Sequence, residues 1–143
     1  MDNFRFFALG DDFDVDAFRT GCPLVPSYFW RKGEQKRYSC IGSPYPTSGI
    51  EFALGNDTEL PIATQQGIAI AFIQQHREVL RALADFPGVT HCTLGLEYVA
   101  TFEANVVGFC LSASTKLMRL LAEIGFDLTH YVTLERSDPE NDA

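Results

Sequence analysis

The run DDFDVD at residues 11–16 sets Asp12, Asp14 and Asp16 at alternate positions. A D-x-D-x-D start is how a calcium loop presents its first carboxylates, but such a loop also needs Gly at its sixth position and a bidentate Glu at its twelfth. Those positions hold Ala17 and Pro23, so the cation chemistry fails in the second half of the motif. A helix start accounts for the same acids. Asp14 is expected as the N-cap and Asp16 in the first turn, where a carboxylate meets the positive end of the helix dipole.

The three histidines, His76, His91 and His130, have no metal-ligand spacing. His76 falls on the apolar stripe of a helix and His130 on the apolar face of a strand, so each is expected as a buried histidine with a hydrogen-bond partner. His91 and Cys92 are neighbours in a strand and point to opposite faces, which prevents a nucleophile–base pair. A couple between distant segments, Cys110 with His91 or with His130, stays open. The cysteines at 22, 40, 92 and 110 form no C-x-x-C pair and are expected to be free, buried thiols of a reducing compartment. No nucleophile elbow, P-loop, dinucleotide fingerprint or H-E-x-x-H motif occurs. No catalytic residue, metal ligand or cofactor is assigned from the sequence.

The segment YFWRKGE at 28–34 is the strongest surface candidate, because it puts the chain's single Trp beside Arg31, Lys32 and Glu34. Trp and Arg are the residue types that dominate interface hot spots. The plainer reading is that Trp30 plugs the edge of the core while its charged neighbours are solvated. Net charge points the same way as the acidic run. At −8, with a pI near 4.7, the chain is poorly suited to a nucleic-acid backbone or an anionic membrane surface. It suits a basic protein partner. No uninterrupted apolar run approaches the ~18 residues of a membrane span, and the start MDNFRFFALG lacks the basic-then-apolar layout of an export signal. A cytoplasmic location is the expectation.

These residues must be held by a fold, and the hydrophobic periods outline one. Residues 4–9 read as a central strand, and a short helix follows the Asp14 cap, with Val15 and Phe18 on its apolar side and Gly21 with Pro23 stopping it. Residues 22–35 read as a connecting segment rather than a central strand, because Pro23, Pro26 and Gly33 interrupt them. Residues 36–42 and 50–54 could pair as a hairpin. The longest helix is expected over 64–85, capped by Thr64, with Ile68, Phe72, His76, Val79, Leu80 and Leu83 inward. A strand over 89–100 puts Cys92, Leu94, Leu96, Tyr98 and Ala100 on one face. Residues 106–112 are expected to return as its antiparallel partner. A helix to about 124 starts at Ser112 or Ser114 and closes at Gly125, and residues 126–134 form a last alternating strand. The order β-α-β-β-α-β-β-α-β predicts an α+β domain over residues 1–136. Its sheet should be predominantly antiparallel, with three helices mainly on one face. The polar tail at 137–143 is expected to fray.

The opening strand running into GDDFDVDAF, the phrase FWRKGE at 29–34 and the closing FCLSASTKLMRLLAEIGFDLTHYV together resemble the bacterial domain-of-unknown-function family numbered 4279. The likeness spans nearly the whole chain and implies a compact α+β domain with no assigned activity. Small bacterial toxin-immunity proteins share the same size and acidity. The functional expectation is therefore a small acidic protein that binds another protein, such as an antidote to a basic toxin. The candidate contacts are Asp11, Asp12, Asp14, Asp16, Trp30, Arg31, Lys32 and Glu34. Two alternatives stand beside it: an enzyme or small-ligand domain with a cleft holding His or Cys, and a self-associating structural protein, for which a homodimer is one form.

Overall fold

The computed structural model describes residues 3–36, 42–55, 60–102 and 110–136. Its strands are β1 (Arg5–Gly10), β2 (Tyr28–Trp30), β3 (Ser48–Ala53), β4 (His91–Phe102) and β5 (Asp127–Arg136). Its helices are α1 (Val15–Gly21), α2 (Ile62–Ala84) and α3 (Thr115–Ile124). The strands form one sheet in the order β2-β3-β1-β4-β5. The pairings β2·β3, β3·β1 and β1·β4 are antiparallel, and only β4·β5, joined through α3, is parallel. The expected α+β class and predominantly antiparallel sheet are what the chain forms.

Register explains the two faces. Phe6 lies between Phe52 and Leu94, so the even positions of β1 share a face with Ile50, Phe52, Cys92, Leu94 and Leu96. That face is the core, and side chains from all three helices, among them Phe18, Ile73 and Leu117, join it. Each fully buried Leu, Ile or Phe contributes about 1.5–3 kcal/mol relative to exposure. The other face carries Arg5, Phe7, Glu51, Thr93, Gly95 and Glu97. No helix covers it among the described residues. Its own side chains shield it: the Trp30 ring lies over Gly49 and the Tyr131 ring over Gly95. An aromatic laid on a strand glycine protects backbone that has no side chain of its own.

The caps follow the sequence. Asp14 accepts from the Ala17 N–H at 3.0 Å and starts α1. Ser114 accepts from the Leu117 N–H at 3.1 Å and starts α3, and Gly125 ends it in the left-handed region at φ 79°. Leu117, Leu120, Leu121 and Ile124 point inward as expected.

Several expectations are corrected. Helix α2 begins at Ile62, two residues before the expected Thr64 cap, with Pro61 at the cap position and no side-chain cap. Its buried stripe is Gln65, Gln66, Ala69, Ile73, Leu80 and Leu83. Ile68, Phe72, His76 and Val79 are half-buried flanks instead. The buried residues before and after the break in helical geometry at His76 (φ −123°, ψ 25°) fall on one face, and the expected residues Ile68, Phe72, His76 and Val79 lie along its flank. The neighbour of β3 is β2, not residues 36–42, of which 37–41 lie outside the described residues. β2 sits inside the segment read as a connection, at the sheet edge where interrupting prolines are tolerated. Strand β4 pairs with β1 and β5. The expected return strand falls largely outside the described residues, and its described part, Cys110 to Ser112, is not in a strand. The tail at 137–143 also lies outside them.

Candidate functional site at the acidic end of the sheet

The strand directions gather one end of the molecule. β1 ends at Gly10 and β2 at Trp30, where β3, β4 and β5 begin. The turn Asp11–Asp12, the α1 cap Asp14, the exit segment Arg31–Glu34, the loop after α2 from Asp85, and Asp127 therefore all emerge there. Asp11, Asp12, Asp14, Asp16, Glu34, Asp85 and Asp127 are exposed. Asp85 and Asp127 were not singled out from the sequence. Both lie close enough to the buried Cys92 thiol to add to its raised pKa, which burial chiefly pushes up to about 11.

Two of the expected groups meet. The Arg31 guanidinium grips Asp16 through two hydrogen bonds of 2.7 Å and Glu34 through one of 2.9 Å. The Arg31 N–H also donates to Glu34 at 3.1 Å. Arg19 reaches Asp16 at 3.4 Å and lies 3.5 Å from the centroid of the Phe29 ring. These contacts fasten α1 to the exit of β2. Asp11, Asp12, Asp14, Asp85 and Asp127 make no ion pair among the described residues. The network thus takes Asp16 and Glu34 out of the acidic surface and leaves the others.

Hydrogen bonding from Arg31 holds both Asp16 and Glu34 below their ordinary carboxylate values. A carboxylate depressed in the folded state stabilises it above the unfolded pKa and loses that stabilisation as pH falls through the folded pKa. The α1–β2 attachment should therefore hold at neutral pH and loosen only below about pH 4. Carboxyl-carbon NMR should find the Asp16 midpoint below 3.8, and Arg31→Gln should move it back up. A midpoint indifferent to Arg31→Gln would show the pair is not formed in solution.

Trp30 is closer to the plainer of its two readings, a ring packed in at the edge of the sheet. It is 8% exposed, faces away from the helices, and stacks on Tyr28 and Tyr45 with centroids 5.8 and 5.4 Å away. Lys32 is exposed, and its backbone N–H donates to Ser48 Oγ at 2.9 Å. Among the described residues no grouping of His, Cys, Asp and Glu could hold a metal ion. Asp14 and Asp16 have other work, one as cap and one as partner of Arg31.

A concavity of about 510 Å³ lies where the start of α2 faces the segment before α3. Ile62, Gln66, Tyr98, Cys110 and Ser112 help line it, and no histidine does. Cys110 is exposed and Cys22 half-buried, so only Cys92 of the described cysteines is the buried thiol expected, while Cys40 lies outside the described residues. His91 is exposed, with Nδ1 3.0 Å from Thr90 Oγ1. His76 and His130 are half-buried. His76 packs at a tilt against Phe72, and His130 Nε2 is buried with no hydrogen-bond partner among the described residues, against the expectation of a satisfied core histidine. The groove offers a thiol without a base beside it.

The sequence reading missed the paired amides that build this region. Gln65 donates to the Leu60 and Glu97 carbonyls and accepts from the Glu97 N–H, which clamps α2 to β4. Gln66 donates to the Ser112 carbonyl and accepts from the Ser114 N–H, which clamps α2 to the start of α3. Backbone takes both N–H donors of the Gln65 amide and one of those of Gln66, which also lines the concavity. No family model matches the chain, and no curated protein or solved structure matches it significantly.

Proposed function

We propose that this chain is a non-catalytic binding protein that recognises a basic protein partner at the acidic end of its sheet, as an antidote to a toxin with a cationic surface. The observation that supports it is the set Asp11, Asp12, Asp14, Asp85 and Asp127, exposed at one end and without ion pairs among the described residues. A surface of one sign steers an oppositely charged partner and raises its association rate by about 10–10³-fold, an effect that salt suppresses. The Arg31 network gives that surface a fixed frame rather than contributing charge to it. On this reading the chain works in the cytoplasm of a bacterium, where such a toxin would act. Its likeness to the family numbered 4279 is part of the same proposal.

The test is affinity capture from the source organism at low and high salt, with partners identified by mass spectrometry. The reading expects a basic protein bound at low salt and released at high salt. Changing Asp11, Asp12, Asp85 and Asp127 together to Asn should remove it, slowing association at least about tenfold. That set leaves the Asp14 cap and the Asp16–Arg31 pair intact, so the melting temperature should hold. A partner retained in full by the fourfold variant, or the absence of any basic partner, ends the proposal.

A further inference from the structure

The outer edge of β5 differs from the rest of the surface. It runs ten residues, DLTHYVTLER, with no proline and no lysine, and nothing pairs with it among the described residues. The opposite edge of the sheet is β2, three residues long. Short strands, charged side chains (lysine above all) and prolines are the usual protection of a sheet edge; β5 is long and free of proline and lysine, and its charged residues, Asp127, Glu135 and Arg136, stand only at its two ends. The exposed large apolar side chains of the described chain are Val25, Met118, Val132 and Leu134. Val132 and Leu134 project from β5. Met118 lies on α3, on the flank away from α2: Glu123, which pairs with Arg77 of α2, is on the other side of that helix. At about 100° per residue, Thr115, Met118 and Ala122 form a strip with no charge along this flank. Among the described residues, a chain of net charge −8 thus keeps one uncharged helix flank beside an unpaired strand edge.

We propose that a second copy of the chain covers this edge, with the two β5 strands antiparallel about a two-fold axis and the two α3 flanks side by side. An edge strand is completed by another strand, and an antiparallel pair of identical strands is self-complementary. Charge selects the register. Centring the pair on Tyr131 would set Asp127 opposite Glu135 of the second copy, and like charges directly opposite are destabilising. Centring on Val132 avoids that, sets Val132 against its own counterpart and sets Leu134 opposite His130. The area is sufficient, narrowly. Ten strand residues extend about 33 Å, with side chains reaching roughly 10 Å across the edge. Ten helical residues add about 15 Å of flank. Together these bury on the order of 1,000 Å² over both copies, the lower bound of a specific interface. The dimer is therefore weak and concentration-dependent.

Sedimentation velocity from low to high micromolar concentration tests this. The wild-type chain should shift from monomer to dimer across that range. Val132→Lys with Leu134→Lys should weaken the dimer at least about tenfold, and so should Met118→Lys alone, since lysine is what natural edges use to block pairing. These positions are exposed, so the variants should melt like the wild type. Val25→Lys, on an exposed side chain of the segment before β2, should leave the dimer unchanged. A chain that stays monomeric throughout overturns the proposal and leaves the edge to a strand of some other protein. Full dimerisation of the lysine variants overturns the assignment to this edge. Salt separates this inference from the binding of a basic partner. Two acidic copies repel, so added salt should strengthen the dimer while it weakens the charged complex.

Discussion

Replacing Phe6 with Ala should lower the free energy of unfolding by about 3–5 kcal/mol, the usual cost of removing a buried aromatic ring. Phe6 is fully buried in the central strand. Its ring is stacked 5.3 Å from Phe72 of α2 and edge-on 5.6 Å from Phe126, the residue before β5. One side chain therefore joins three elements that lie far apart in the sequence. A domain of this size has about 5–15 kcal/mol in total, so the variant should sit near the threshold of folding. Phe7, next along the strand, faces the other side under Arg5 and is only half-buried. Phe7→Ala should cost roughly a third as much. Urea unfolding measures both. Equal losses for the two would mean the faces have been assigned the wrong way round.

Gly88→Ala should be nearly as damaging, for a different reason. Gly88 has φ +86°, where a side chain costs about 1–2 kcal/mol. A methyl group there would also overlap the backbone of Asp12 and Phe13. Backbone cannot rotate out of the way, so the loop after α2 would have to lift off the turn that follows β1. We expect a total loss of about 3–5 kcal/mol or failure to fold at all. Gly33 provides the control: it has the same φ of +86° with nothing near its missing Cβ. Gly33→Ala should show the conformational cost alone, about 1–2 kcal/mol. If the two substitutions cost the same in thermal melts, the close approach of Gly88 to Asp12 does not exist in solution.

These variants also show where sequence reading stops. Period and punctuation were enough for β1, α3 and β5, because Ser114 and Gly125 bound an unambiguous apolar stripe and the residues after it alternate. The Asp14 cap was legible for the same reason. Helix α2 misled, since its inward stripe opens with two glutamines, and a side-chain amide reads as surface unless its backbone partners are known. Those partners, Glu97 and Ser112, are remote in sequence. Strand β2 is too short to display a period. The acidic end was half legible. Asp11 to Asp16 form a visible run, but Asp85 and Asp127 join it only through the order of the strands. Trp30 shows why residue type alone left two readings open: a side chain common at interfaces here sits over a glycine of its own sheet.

The position of β1 governs how the chain is made. The strand that comes first in this sequence becomes the middle of the sheet, flanked by β3 and β4. Leu9 must wait for His91, and Asn3 for Glu97, before the second flank of β1 closes. Until then a nascent chain carries a two- or three-stranded ribbon with an open apolar edge and no complete core. Contacts this distant slow folding, because the entropy of closing the loop is lost before the contact forms. The second flank of β1 therefore closes only once β4, more than eighty residues further along the chain, is in place.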